Sequence, residues 1–274
     1  MPYDPAFFKG CAPHYVQGRP PYASGLSSLL AKAVPLDGSG RLLDVGTGPG
    51  ILAVTLAPLV KSVVAIDPDP DMLAQGQDRG KAAGVDNIQW VCCRAEDLGQ
   101  HVSGPFRLAT CGLSFHWMER ERVAEIVHDL LEPRGALALI SHVAEGRPVP
   151  EGPAYPPVPH EAIRAVVERF LGPGRRAGLG FRTLPPDSFE EALARTRFGP
   201  PERLLAPGRP DLVQNIDGVI SNYLSRSFCA PHLFGDRLPE FVSTLQQELQ
   251  TLSPPGLFWN WPGDTEILLA RRRE

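Results

Sequence analysis

Leu42-Leu43-Asp44-Val45 runs straight into Gly46-Thr47-Gly48-Pro49-Gly50, and Ile51-Leu52-Ala53-Val54-Thr55-Leu56-Ala57 follows. An apolar strand, a turn with glycine at alternate positions and the start of an apolar helix constrain the fold more than any other stretch of this chain. That order brings a nucleotide-like ligand against bare backbone at a helix start. A dinucleotide fingerprint needs glycine at position 51, and this chain has Ile51 there. Asp44 narrows the ligand further. A carboxylate just ahead of the turn repels a pyrophosphate and suits a ligand with a cationic end, an ammonium or a sulfonium.

Lys61-Ser62-Val63-Val64-Ala65-Ile66-Asp67 reads as a second strand, because its β-branched residues disfavour a helix. Asp67 follows Asp44 by 67 − 44 = 23 positions, close to the spacing at which a second-strand acid meets a ribose. Asp67-Pro68-Asp69-Pro70 is also a turn-forming run in its own right. Beside Asp44 and the glycines, ribose binding is the favoured reading.

These residues resemble the class I S-adenosylmethionine-dependent methyltransferases, from the glycine turn to about His142. The resemblance implies S-adenosyl-L-methionine as cofactor. Its methionine part and ribose would lie on the turn of Asp44, Gly46, Thr47, Gly48 and Gly50. Asp67 would grip the ribose hydroxyls, with Pro68 and Met72 flanking the adenine. Cys93-Arg94-Ala95-Glu96-Asp97-Leu98, after the strand Ile88–Cys92, is similar to the family's third segment. Many members carry an acid where this chain has Arg94, so the adenine amino contact passes to Glu96, Asp97 or the backbone near Ala95. Tyr15 and Arg19 match positions that reach the cofactor's carboxylate; a surface tyrosine and a solvated arginine before Pro20 is the other reading. Ser114 and Phe115, after the fourth strand, complete the expected cofactor contacts.

Strands and helices alternate along the first half: strand 41–45, helix 50–58, strand 62–66, helix 70–83, strand 88–92, strand 107–113, helix 120–131 and strand 135–141. Such alternation means a parallel sheet with helices on both faces. Leu131-Glu132-Pro133-Arg134-Gly135 reads as a helix stop and turn. Beyond His142, Val143 to Pro159 reads as loop. Glu161–Leu171 is an amphipathic helix with Ile163, Val166, Val167 and Phe170 on one face. A further loop, a helix 189–196 and a sixth strand near 202–206 follow. Helices are expected over 211–227 and 236–252, and Thr265–Arg271 closes as the last strand. The expected fold is α/β, a Rossmann-like doubly wound seven-stranded sheet, mostly parallel with an antiparallel last strand, plus a helical lid insertion. Residues 1–34 form an N-terminal helical segment over the cofactor, 35–143 the cofactor-binding half, and 144–274 the lid helices and closing strands of the same domain.

Ligands of an open parallel sheet bind outside the carboxyl ends of its strands. The fourth strand delivers Ser114-Phe115-His116-Trp117 to that edge and the fifth delivers Ser141-His142. Ser114 to Met118 is similar to the segment of many small-molecule methyltransferases of this class. It lacks the Asn/Asp-Pro-Pro-Tyr pattern of enzymes that methylate exocyclic amines in DNA, and no Pro-Cys pair serves pyrimidine carbon methylation. Methyl transfer from a sulfonium is an in-line displacement in which alignment alone supplies roughly 7–11 kcal/mol. A general base adds a further ~10²–10⁴-fold where the acceptor must lose a proton. His116 is the first candidate for that base and His142 the second; a wall residue and a turn histidine are their bland counterparts. The expected function is methylation, at oxygen or carbon, of a small, partly apolar metabolite. A cofactor-binding cyclase or pericyclase without methyl transfer, or a non-catalytic partner protein, is the alternative.

Composition bounds the rest. Forty-three per cent hydrophobic content over 274 residues is enough for one large α/β domain or one domain with a substantial insertion. A net charge of −4 argues against a nucleic-acid partner, which needs a basic face. No apolar run approaches the ~18 residues of a membrane span, and Met1-Pro2-Tyr3-Asp4 does not open like a signal peptide. The five cysteines, without Cys-x-x-Cys spacing, read as free and mostly buried thiols in a reducing, bacterial cytoplasm. No metal cluster is visible. The oligomeric state is silent.

Overall fold

The computed structural model describes residues 4–273, apart from 153, 175, 178–179 and 182–186. Seven strands make one sheet: β1 Arg41–Val45, β2 Ser62–Asp67, β3 Ile88–Cys92, β4 Phe106–Gly112, β5 Leu131–Val143, β6 Glu202–Ala206 and β7 Asp264–Arg271. Their order is β3-β2-β1-β4-β5-β7-β6. The first five pair in parallel. β7 runs antiparallel to both β5 and β6. The sheet is Rossmann-like, as the alternation of elements predicts.

Ten helices accompany it among the described residues: α1 Ala12–Gly18, α2 Leu26–Ala33, α3 Ile51–Leu56, α4 Pro70–Ala82, α5 Leu98–His101, α6 Arg120–Leu130, α7 His160–Leu171, α8 Phe189–Ala194, α9 Ile216–Leu224 and α10 Leu238–Leu252. Leu42 and Leu43 are both fully buried because successive strand residues face opposite ways and both faces are covered. Leu43 packs with Val123, Val127 and Leu193 on one face. Leu42 packs with Leu30, Leu52 and Leu56 on the other.

Local chemistry sets the boundaries. At the start of α4, Asp69 Oδ1 accepts from the backbone N–H of Asp71 at 2.9 Å, and Pro70 occupies the first turn where no donor is needed. The expected turn at Leu131–Gly135 is instead an interrupted start of β5. Leu131 pairs with Phe106, and the ladder resumes with Ala136 opposite Leu108. Pro133 offers no donor to the ladder, and Arg134 turns the chain at φ +66°.

The helix expected over 211–227 is shorter. Val213–Asn215 pairs antiparallel with Leu257–Trp259. The helix begins only where the Asn215 side chain accepts from Gly218 N–H at 2.8 Å. Likewise α10 starts at Leu238, after a single 3₁₀ turn Gly235–Arg237. The loop expected after α7 falls partly outside the described residues.

α7, α9 and α10 turn their apolar faces toward one another, giving a second core around Ile163, Tyr223, Phe241, Leu245 and Phe258. This helical unit joins the sheet domain through α1. Gln214 donates to the Gly18 carbonyl at 2.8 Å, and Arg19 donates to the Ser225 hydroxyl and carbonyl, each at 2.9 Å. No described helix is long and apolar enough to cross a membrane. Cys11, Cys93, Cys111 and Cys229 are free and buried, while Cys92 is exposed.

Candidate active site

The glycine turn sits at the carboxyl end of β1. Asp44 lies beneath it, 1 % exposed. Thr47 Oγ1 donates to its Oδ2 at 2.5 Å and Thr110 Oγ1 donates to its Oδ1 at 2.6 Å. Burial pushes the Asp44 carboxyl above the usual range while the two hydroxyls pull it down. The expectation that Asp44 meets a cationic ligand end is therefore corrected. Its carboxylate is buried away from the cavity and ties the turn to β1 and β4 through Thr47 and Thr110.

Two glycines of the turn do different work. A Cβ on Gly50 would lie 2.4 Å from Trp90 Cη2, so Gly50 packs the turn against β3. A Cβ on Gly48 would meet nothing within 4 Å, and Gly48 lines a cavity of about 220 Å³. Its φ of +53° favours glycine. Gly46 borders the same cavity, backed by the Ser114 side chain. Thr47 and Gly50 do not line it.

Asp67 reaches this cavity from the end of β2. Its Oδ2 accepts from Gly48 N–H at 2.8 Å and its Oδ1 from Asp69 N–H at 2.9 Å. Burial pushes the carboxyl up to about 6, against the pull of those two hydrogen bonds. A carboxylate has about four acceptor positions, so capacity remains for two hydroxyls. Pro68, Met72, Ala95 and Glu96 line the same cavity. Glu96 pairs with Arg94 at 3.1 Å and accepts from Glu119 N–H at 3.1 Å.

Asp97 lies outside the cavity lining, having turned into the short 3₁₀ segment that leads to α5. Phe115 is also outside it. The ring is 2 % exposed, sunk in the sheet core edge-on to Phe189 at 5.5 Å. Ser114 stays at the wall, its hydroxyl donating to the Val45 carbonyl at 2.7 Å. His116 is at the wall too, between Trp117 at 5.4 Å and Phe189 at 6.5 Å.

The sequence reading missed two parts of the cover. Phe7 and Phe8 pack on Trp117 at 5.2 and 5.0 Å, closing the cavity from the N-terminal side. Arg226, Ser227 and Phe228 close it from the segment after α9. The paired aromatics ahead of α1 were the only available signal for the first, and no motif marks the second.

A second cavity of about 330 Å³ adjoins the first and shares Tyr15, Arg19, Leu113 and Arg226 with it. Leu113 stands at this partition with φ +52°, a left-handed backbone that a branched side chain rarely adopts. Such strain concentrates at functional sites. Arg19 lies 4.7 Å over the Tyr15 ring. His142 faces the second cavity and not the first. Its ring stacks on Tyr22 at 5.2 Å. Burial pushes the imidazole down to about 4. The two histidines expected at one mouth are thus divided between two chambers. Among the described residues, no group of three or more His, Cys, Asp or Glu could hold a metal.

Comparison with known proteins gives this geometry a family. Residues 42–135 match the methyltransferase domain family. Over 108 residues, 39 % of this chain and 41 % of the other, the sequence is 31 % identical to the tRNA 5-carboxymethoxyuridine methyltransferase of Escherichia coli K12. Over 145 residues, 51 % and 44 % of the two chains, it is 30 % identical to methyltransferase cfoB of Aspergillus candidus. The chain thus spans under half the length of these curated relatives. The YcgJ protein of Bacillus subtilis shares the fold at TM-score 0.51 and 16 % identity, covering 90 % of this chain and 98 % of its own. The segment 42–135 is thus similar to the class I S-adenosylmethionine-dependent methyltransferases.

The residues present fit that family's cofactor. Gly48 leaves open the space that a side chain would fill, and Asp67 stands beside it with acceptor capacity for a ribose diol. Met72 and Pro68 give an apolar flank of the kind a planar base needs.

Proposed function

We propose that this protein transfers the methyl group of S-adenosylmethionine to oxygen or carbon of a small, partly apolar metabolite. Gly46, Gly48, Asp67, Pro68, Met72, Ala95, Glu96 and Ser114 would hold the cofactor in the first cavity, with Tyr15 and Arg19 at its carboxylate end. The acceptor would occupy the second cavity. The observation that carries this reading is a pair of adjoining chambers that share Tyr15, Arg19, Leu113 and Arg226. Gly46, Gly48 and Asp67 line only the first.

The bound cofactor would supply an already activated methyl group. The chain's own task is then alignment and exclusion of water. Phe7, Phe8 and Phe228 cover the first chamber, and the α7–α9–α10 unit supplies His160 and Asn222 to the second. His142, held down to about 4, is a weak proton acceptor at neutral pH and serves better as a neutral wall of the acceptor chamber. His116 borders the cofactor chamber, where a base for the acceptor has less use. The reading therefore asks little of general-base catalysis.

A net charge of −4 speaks for a small acceptor over tRNA. The test is incubation with methyl-labelled cofactor and a metabolite extract, read by mass spectrometry. Label appearing on a small molecule supports the reading. A consumed substrate whose product gains no methyl would instead favour the cyclase alternative.

A further inference from the structure

Two buried asparagines line the second chamber and not the first. Asn222, on α9, is 2 % exposed, and Asn260, directly after the strand Leu257–Trp259, is 7 % exposed. A buried amide needs partners at both its oxygen and its nitrogen. Among the described residues, each of these two amides has a partner at one end only.

Which end is open follows from neighbours that can play only one part. Arg226 has only donors, and its Nε and Nη2 lie 3.3 and 3.1 Å from Asn222 Oδ1. The oxygen of Asn222 therefore faces the guanidinium, and the N–H groups of Nδ2 are left over. The Gly18 carbonyl can only accept, so Gln214 presents Nε2 to it at 2.8 Å. Gln214 Oε1 then turns to Asn260, whose Nδ2 donates to it at 2.6 Å. Asn260 Oδ1 is left over as an acceptor. Neither open end is sealed from solvent, in contrast to His142 Nδ1, which is buried without a partner. The frame around both amides is closely packed. A Cβ on Gly18 would fall 2.1 Å from the Asn222 backbone nitrogen, and the Asn260 N–H donates to the Leu212 carbonyl at 2.9 Å.

We propose that the acceptor carries a lactam or carboxamide, its carbonyl accepting from Asn222 Nδ2 and its N–H donating to Asn260 Oδ1. This rests on the reading of the second chamber as the acceptor's and adds the neutral polar edge by which that chamber selects it. A ketone or ester satisfies Asn222 and leaves the Asn260 oxygen unpaired. A carboxylate does the same and sets a negative charge against that oxygen. A lone hydroxyl puts donor and acceptor on one atom, whereas the two asparagines reach the chamber from different elements. Discrimination of this kind is strong, because the mismatched ligand strands a buried polar group. Arg19 and Arg226 border both chambers, so the selection falls to residues of the second alone. The rest of that wall suits a planar body: Tyr22 and His142 stack at 5.2 Å, and Trp261 borders the same space.

The experiment uses the full chain saturated with S-adenosylhomocysteine, titrated calorimetrically with two matched sets of probes. One set is 2-quinolinone, its N-methyl derivative and 2-naphthol. The other is benzamide, N,N-dimethylbenzamide and benzoate. At least one N–H amide binds with Kd below about 10 mM, and both other members of its set bind at least about tenfold more weakly. Asn222→Asp keeps an oxygen for Arg226 and exchanges the open N–H groups for an acceptor. It weakens that amide at least about tenfold more than it weakens S-adenosylhomocysteine. An N-methylated partner, 2-naphthol or benzoate that falls short of that margin overturns the proposal. So does the absence of binding by both amides to a protein that does bind S-adenosylhomocysteine, or an equal loss of both ligands in Asn222→Asp. The comparison within each set needs no variant and decides the matter where Asn222→Asp does not fold. Failure of the unmodified chain to bind S-adenosylhomocysteine removes the two-chamber reading itself, a distinct result seen before any probe is added.

Discussion

The backbone N–H of Gly48 donates to Oδ2 of Asp67 at 2.8 Å, linking the first glycine-rich turn to the acid of the second strand. One hydrogen bond thus fixes the two features that face the cofactor chamber. It also couples their chemistry. Loss of the carboxylate's charge loosens the turn and removes the acceptor for the ribose hydroxyls together.

Cofactor affinity should therefore follow the ionisation of Asp67. Burial places its carboxyl at about 6, so it is ionised above that pH and protonated below. Affinity for S-adenosylhomocysteine is level at pH above about 7 and falls as pH drops through about 6. Asp67→Asn binds roughly 10- to 100-fold more weakly near neutrality, as expected for lost hydrogen bonds to a charged group. The variant also loses the acid limb. Calorimetry of both proteins between about pH 5 and 8 checks this, and a parallel acid limb in the variant contradicts it.

Thr110→Val tests the role assigned to Asp44. The substitution keeps the shape of the side chain and removes the hydroxyl that donates to Oδ1. Leaving a buried carboxylate oxygen unsatisfied costs about 1–3 kcal/mol. The melting midpoint should fall by several degrees, roughly 2–4 °C for each kcal/mol in a chain of this size class. Asp44 responds by binding a proton more readily, so the loss shrinks as pH falls. Thermal melts over a pH series measure it, and an unchanged midpoint would show Asp44 solvated by other means.

His142 gives a pH signature in stability. Its folded pKa of about 4 lies below the unfolded value, so the unfolded chain binds more protons between them. The contribution to stability is intact above about 6.5 and declines as pH falls toward 4. His142→Gln cannot titrate. Its stability deficit against the unmodified chain is therefore greatest near neutrality and shrinks on acidification. Urea midpoints near pH 7 and pH 5 report this. A constant deficit would mean that the imidazole is not held neutral.

The cofactor half was legible because its signals are local. Glycines at positions 46, 48 and 50 follow an apolar strand, and Asp67 ends the next one. The ends of β1, β3 and α4 follow directly from such runs of residues and caps. What stayed hidden depends on tertiary neighbours. Nothing in the sequence says that Thr47 and Thr110 would consume Asp44, or that Phe115 would turn inward while His116 turned to the wall. The 211–227 stretch read as one helix because its apolar spacing is helical. The pairing of Val213–Asn215 with a strand some forty residues later overrides that spacing. Arg226 carries no motif, and only the packing of α9 against α1 brings it to the partition between chambers.

The most direct test of the whole account is the binding of S-adenosylhomocysteine, by titration calorimetry, to the unmodified chain and to Gly48→Val. A valine there places its side chain in the space the cofactor needs and carries a strained backbone at φ +53°. The strain costs about 1–2 kcal/mol, so the variant still folds. The account predicts one-site binding to the unmodified chain, more than about 100-fold weaker binding to the variant, and no binding of NADH to either. Equal affinity in the two proteins, or no heat from the unmodified chain, would contradict it.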